Sequence, residues 1–263
     1  MSLELLWEEP GLPSERLPDE LELFYDGALG FDEPCVIANF VETLDGIVAM
    51  PDIERSNALV ADDSADDKQL MGLLRAFADV VLIGTGTLLA SPKGRWRPAG
   101  VYPDGKDAFA ALRAARGRPE QPAVAIVTSG SSLDIDHPVL RENTVVLTTS
   151  AGVERIGTVD AEVVAVNDGD WVDLRAAVGI LRDRGHGIVL AEAGPTTFGT
   201  LLAEQLVDEL FLTVAPVFAG RLEARRRLAL VEGVELLPDA RIGARLRSLR
   251  RSDDHLFARY RLT

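Results

Sequence analysis

Two glycine-bearing turns, Gly84-Thr85-Gly86-Thr87 and Glu192-Ala193-Gly194-Pro195-Thr196-Thr197, constrain this chain more than any other feature. The first follows the apolar run Val80-Val81-Leu82-Ile83 and the second follows Gly187-Ile188-Val189-Leu190-Ala191. Each turn also opens a segment that reads as a helix. Short apolar runs of this kind predict buried parallel strands, and the turns leaving their carboxyl ends are where open α/β sheets bind ligands. Glycine lets a ligand approach the backbone closely, and the free amides of a helix start favour a phosphate. Two such turns, more than a hundred residues apart, predict a dinucleotide gripped from both sides.

Around these turns strand and helix alternate. Residues 35–41 are rich in β-branched side chains and predict the first strand of the folded unit. Ser64, with Asp67 three positions on, predicts the N-cap of a helix that carries Leu70, Leu73, Leu74 and Phe77 on one face. Further strands are expected at 80–83, 123–128, 144–148 and 162–166, with helices at 107–116 and 172–184. Residues 91–105, rich in Pro, Gly and Arg, read as a loop. The last quarter changes character: 209–214, 244–250 and 256–262 read as strands with little helix between them, and Ser252-Asp253-Asp254-His255 as a hairpin turn. The expectation is a mostly parallel sheet finished by antiparallel strands. Residues 1–33, with Pro10, Pro13 and Pro18, read as an extension packed over the domain, with a short helix near 17–24.

Composition narrows the function classes. The net charge of -15 speaks against nucleic acid and anionic membranes as partners, because both are held by clustered basic side chains. Apolar runs are far shorter than the roughly 20 residues of a membrane span, and the amino terminus has no signal-like pattern, so a cytoplasmic location is expected. One cysteine, Cys35, excludes an internal disulfide and a multi-cysteine zinc site, and no metal is expected. His137, His186 and His255 read as surface residues, and the run Arg225-Arg226-Arg227 as a solvated helix face. Glu192 ends an apolar strand, so a partly buried carboxylate in need of a partner is expected there. For Thr43-Leu44-Asp45-Gly46 a local turn explains the residues as well as a binding role does. The small-hydroxyl loop Thr128-Ser129-Gly130-Ser131-Ser132 is suited to hydrogen-bonding a phosphate, but on composition alone reads first as a solvated linker.

Four motifs in one order carry a resemblance over about residues 35–263. Asn39-Phe40-Val41-Glu42-Thr43-Leu44-Asp45-Gly46 resembles an "SLDG" segment, and Leu74-Arg75-Ala76-Phe77-Ala78-Asp79 running into Val80 through Thr87 resembles "LRAxADAVLVGxGT". Glu192-Ala193-Gly194-Pro195-Thr196 with Leu206-Val207-Asp208-Glu209-Leu210 resembles "EGGPTL…LVDEL", and Ala215-Pro216-Val217-Phe218-Ala219-Gly220 resembles "xPVLLG". The chain thus resembles the pyrimidine reductase family of riboflavin biosynthesis.

The resemblance implies an α/β, dihydrofolate reductase-like three-layer fold over residues 34–263, with a mostly parallel central sheet and antiparallel carboxyl-terminal strands. It implies an NADPH-dependent, homodimeric reductase acting on a small molecule, the ribosyl group of 5-amino-6-(5-phosphoribosylamino)uracil. Gly84, Thr85, Gly86, Thr87, Ala193, Gly194, Pro195 and Thr196 would border the cofactor, and Thr128 and Ser129 its adenosine ribose and 2′-phosphate. Asn39, Thr43 and Ser56 would border the substrate, and Asp45 or Glu192 would position water or relay the proton. A cis peptide is implied at Ala193–Gly194. The chain departs from the pattern in having Ala193 where the family has glycine, and Ser91-Pro92 where an acidic residue is common. One cysteine and 33 preceding residues leave no room for the zinc deaminase to which such reductases are often fused. Reduction of dihydrofolate or another pterin, and nucleotide binding without turnover, are the competing expectations.

Overall fold

The computed structural model describes residues 2–263. Among these residues twelve strands form: β1 Glu4–Glu8, β2 Cys35–Thr43, β3 Ile47–Ala49, β4 Val80–Gly84, β5 Ala123–Val127, β6 Thr144–Thr149, β7 Glu162–Asn167, β8 Ile188–Ala191, β9 Glu209–Ala215, β10 Leu228–Ala229, β11 Ala244–Ser252 and β12 His255–Leu262. Ten of them make one sheet in the order β1-β11-β12-β9-β2-β8-β4-β5-β6-β7. From β9 to β7 all neighbours are parallel. β12, β11 and β1 then extend the sheet antiparallel beyond β9. β3 and β10 pair separately.

Among the described residues nine helices flank the sheet: α1 Asp19–Tyr25, α2 Ser56–Val60, α3 Ala65–Phe77, α4 Thr85–Ala90, α5 Pro98–Val101, α6 Lys106–Ala115, α7 Ser150–Ile156, α8 Leu174–Asp183 and α9 Pro195–Ala203. Strand alternation divides the core into two halves. On β2, Cys35 and Ile37 face a layer containing Leu73, Leu74 and Phe77 of α3 and Phe109 and Leu112 of α6. Val36 and Ala38 face Leu174, Val178 and Leu181 of α8 and Phe198 and Leu201 of α9. The runs Val80-Val81-Leu82-Ile83 and Ile188-Val189-Leu190-Ala191 are buried throughout because both faces of these central strands are covered. Ser64 caps α3 as expected, its Oγ accepting from the Asp67 amide at 3.2 Å.

Three expectations change. Residues 91–105 are not all loop: Pro at the first position of each piece seeds α5 and a 3₁₀ turn over Pro103–Gly105, which pack on α3 and α6. Arg225-Arg226-Arg227 is not a helix face; the stretch is an exposed loop with a single bridge, Leu222 to Arg225, leading into β10. His137 is buried rather than on the surface. Its ring accepts from the Val139 amide at 3.3 Å and bonds the Ser91 carbonyl at 2.9 Å, tying two loops together. The outer edge of the carboxyl-terminal hairpin is covered by β1.

Residues 2–33 share the core of the sheet. Leu3, Leu21, Phe24 and Leu29 are buried with the α3 layer. Arg250 of β11 donates from Nε to the Tyr25 carbonyl and from Nη2 to Glu8 Oε2, both at 2.7 Å, with its guanidinium 3.7 Å from the Tyr25 ring centre.

Candidate active site

The two glycine turns leave the carboxyl ends of β4 and β8, which are adjacent in the sheet. The Glu192 amide donates to the Leu82 carbonyl at 3.0 Å and extends that pairing to the mouth. The turns then meet. Thr87 Oγ1 donates to the Glu192 carbonyl at 3.4 Å, and a Cβ added to Gly84 would lie 3.2 Å from Thr197 Oγ1. Gly86 has open space where a Cβ would stand. The first turns of α4 and α9, whose amides have no acceptors within their helices, therefore lie side by side. Such a cradle fits a pyrophosphate: donors converge and no side chain fills the space above Gly86.

The loop after β5 lies further along the same edge. Thr128 is buried, and its hydroxyl accepts from the Gly130 amide at 3.0 Å, fixing a turn in which Gly130 has φ +86°. Gly152 in the first turn of α7 is obligatory, because a Cβ there would collide with Thr148 Oγ1 and press on the Ser129 carbonyl. Arg155 on α7 donates to that carbonyl at 2.7 Å, which brings a guanidinium to the hydroxyls of Ser129 and Ser131. No signal in the sequence marked Arg155.

At the floor of the cleft Glu192 has the partner expected for it. Arg75 Nε donates to Oε1 at 2.8 Å and Nη2 to Oε2 at 2.6 Å, with both side chains about nine-tenths buried. The register Ala38↔Ala191 puts Asn39 beside Glu192 on the α3 face, and the Asn39 Oδ1 is buried without a partner. Asp67, also buried, has its carboxyl pushed up to about 6, chiefly by the loss of water around it. Arg75 and Asp67 went unremarked as site residues. The available signal was an arginine inside the apolar stretch Leu73-Leu74-Arg75-Ala76-Phe77, since charge is placed in such a stretch only opposite a buried partner.

The substrate-side candidates separate into two groups. Thr43 and Asp45 bind each other: Thr43 Oγ1 donates to Asp45 Oδ1 at 2.6 Å and accepts from the Ile47 amide at 3.1 Å. The Asp45 carboxylate also accepts from the amides of Ala219 and Gly220 at 3.0 and 2.9 Å. The Thr43 hydroxyl, followed by these amides, holds its pKa down to about 2. Asp45 is thus committed to tying the β2–β3 turn to the loop after β9, whereas Glu192 and Asn39 line the cleft. Ser56, at the start of α2, accepts from the Met50 amide at 2.6 Å and stands on the β3 side.

The Ala193–Gly194 bond is trans, contrary to expectation; the cis bonds among the described residues are Glu33–Pro34 and Leu237–Pro238. A cis bond outside proline costs about 2.5–4 kcal/mol. Here Gly194 enters α9 in an extended conformation (φ -64°, ψ 166°) that needs no such bond. Among the described residues no three His, Cys, Asp or Glu side chains gather as metal ligands.

The parallel α/β sheet completed by an antiparallel carboxyl-terminal hairpin is a fold this chain shares with solved reductases of riboflavin biosynthesis. A pyrimidine reductase-like protein from Corynebacterium diphtheriae shares the fold with a TM-score of 0.63 at 19% identity, over 88% of this chain and 92% of that one. The Saccharomyces cerevisiae riboflavin biosynthesis reductase Rib7 does so with a TM-score of 0.60 at 17% identity, over 94% and 95%. Residues 34–250 match the RibD C-terminal domain, and the chain belongs to that family. It is 26% identical over 193 residues to the 2,5-diamino-6-ribosylamino-4(3H)-pyrimidinone 5′-phosphate reductase of Archaeoglobus fulgidus, covering 71% of this chain and 82% of that protein.

Proposed function

We propose that this protein is an NADPH-dependent reductase that converts the ribosyl group of 5-amino-6-(5-phosphoribosylamino)uracil, or of its close pyrimidinone analogue, to a ribityl group. The observation that carries this reading is the meeting of the two glycine turns directly over the Arg75–Glu192 pair, in a chain of the RibD C-terminal domain family. A bound NADPH would supply the hydride taken up by the ring-opened ribosyl carbon.

The protein's share is alignment and electrostatics. The first turns of α4 and α9 hold the cofactor's pyrophosphate, and Thr128, Ser129 and Arg155 hold its 2′-phosphate, which selects NADPH over NADH. Of the two carboxylates, Glu192 is the one assigned to the reacting centre, because Asp45 is occupied in its turn. Arg75 fixes both Glu192 oxygens, so the carboxylate stays in one orientation and stabilises the positive charge of a protonated imine at the ribosyl carbon. Asn39, with its unpartnered Oδ1, accepts a hydrogen bond from the substrate.

A homodimer and a cytoplasmic location belong to the same reading. No helix among the described residues is long and apolar enough to cross a membrane. The free outer edge of β1, where Leu6 and Trp7 are exposed, is the surface offered to a second copy. Sedimentation at twice the chain mass is expected.

The deciding assay follows NADPH oxidation with the pyrimidine phosphate, with dihydrofolate and with no acceptor, alongside an NADPH titration. Turnover is expected with the first alone. Turnover with dihydrofolate only would overturn the substrate, and NADPH binding without turnover on any acceptor would mean a non-catalytic relative.

A further inference from the structure

A cavity of about 630 Å³ lies between the 91–101 segment, α6 and the turn before β5, a size suited to a small ligand. Its lining is basic in a chain whose net charge is -15: Lys93, Arg95, Arg97, Lys106 and Arg113 stand there with one carboxylate, Glu120. Lys93 and Lys106, two of the chain's three lysines, form no ion pair among the described residues, and neither does Arg113. Arg95 and Arg97 share a single partner, Glu142.

Two residues of this lining each keep a buried polar atom unsatisfied. Arg113 is 1% exposed; its Nε donates to the Pro119 carbonyl at 2.6 Å and its Nη1 to the carbonyls of Arg75, Ala76 and Ala78, but Nη2 finds no acceptor. Burial, only partly offset by Asp79, draws its pKa down to about 10. Gln121 Oε1 is buried without a donor. An orphaned guanidinium N–H and an orphaned amide oxygen are both costly, and a ligand bringing an acceptor and a donor relieves both.

The cavity lies at the other end of the sheet from the glycine turns. The carbonyls held by Arg113 precede β4, Gln121 precedes β5, and Glu142, which receives Arg95 and Arg97, precedes β6. These three strands are parallel, so all of these groups gather at their amino ends. Arg75 stands between the two places: Nη1 donates to the Arg97 carbonyl at 3.3 Å, whereas Nε and Nη2 hold Glu192.

We propose that this cavity is a second ligand site, separate from the cleft, that takes a nucleoside monophosphate. The unpaired cations reverse the local field of an acidic protein and attract a phosphate, whose oxygens match the guanidinium fork. Trp96 and Phe109 in the same lining offer ring surface to a base, and Gln121 Oε1 accepts from a hydroxyl or amine of the nucleoside. The site does not depend on the reductase reading.

Indole N–H resonances of the full-length protein read the site, because the chain has three tryptophans and W96F assigns the one in the cavity. With NADPH kept at saturation to fill the cleft, adenosine 5′-monophosphate should shift the Trp96 signal saturably and leave those of Trp7 and Trp171 unmoved. Adenosine and inorganic phosphate, each lacking one half of the ligand, should bind about tenfold more weakly. The K93Q/K106Q variant leaves Arg113 and its α3 carbonyls in place. It too should bind the nucleotide about tenfold more weakly, with NADPH affinity and thermal midpoint retained. No Trp96 shift, unchanged affinity in the variant, or adenosine or phosphate binding as tightly as the nucleotide would each overturn the proposal.

Discussion

The guanidinium of Arg75 holds both carboxylate oxygens of Glu192, at 2.8 and 2.6 Å, joining the last turn of α3 to the carboxyl end of β8. Replacing Arg75 by Met leaves Glu192 buried without a counter-charge, and a loss of about 3–5 kcal/mol is expected. The double change R75M/E192M should recover most of it. Urea denaturation of the three proteins checks this; a loss below about 1 kcal/mol in the single variant would mean the pair is not desolvated.

Asp67 makes stability depend on pH. Its folded pKa, raised to about 6, lies above the roughly 3.9 of an unfolded aspartate. The folded chain therefore holds this proton more tightly, and the stability so gained is fully present below about pH 4 and lost as pH rises through about 6. Asp67→Asn has no proton to lose. Its stability relative to wild type should improve by about 2–3 kcal/mol between pH 4 and pH 7.5. Denaturation midpoints at the two pH values decide it, and a difference that does not move with pH would contradict it.

Asp45→Ala should release the loop after β9. The amides of Ala219 and Gly220 lose their acceptor, so their hydrogen exchange should quicken while that of β2 stays slow. Because the Asp45 pKa is held down to about 2, this tether is present above about pH 4 and lost only as pH falls through about 2. Exchange measured at neutral pH reads it directly.

Arg155→Ala tests the cofactor assignment. If its guanidinium and the Ser129 loop receive the 2′-phosphate, NADPH affinity should fall about tenfold and NADH affinity should hold. Fluorescence titration of both cofactors provides the comparison, and equal losses would place Arg155 elsewhere.

Deleting residues 2–33 should abolish stable folding. Arg259 shows why: it donates to Glu209 Oε2 at 2.6 Å and to the Gly30 carbonyl at 2.8 Å, with Phe31 and Phe211 flanking it at 5.0 and 5.4 Å. Without the amino-terminal segment the buried guanidiniums of Arg250 and Arg259 lose acceptors and ring faces together. Near-ultraviolet circular dichroism of the truncated chain provides the check; a native spectrum would establish residues 34–263 as autonomous.

Much of the site was legible because its signals are local. A glycine turn after an apolar run states its own place in an α/β sheet, so the turns at Gly84 and Gly194 could be placed at strand ends before any fold was known. Arg75 was not legible in that way. Its meaning depends on Glu192, 117 residues away, and nothing in either neighbourhood names the other. At Asp45, where the sequence left a local turn and a binding role equally open, the folded chain spends the carboxylate on backbone amides supplied by Ala219 and Gly220.

By itself the sequence determined the alternation of strand and helix, the two glycine turns at strand ends and the antiparallel ending, because hydrophobic period and glycine placement act over a few residues. Tertiary structure alone decided which charges face one another. It placed β1 on the edge of β11, trapped Arg250 and Arg259 against the amino-terminal segment and joined Arg75 to Glu192. Those outcomes follow from long-range packing, in which burial sets the cost of an unpaired charge and only the folded chain brings a partner within reach.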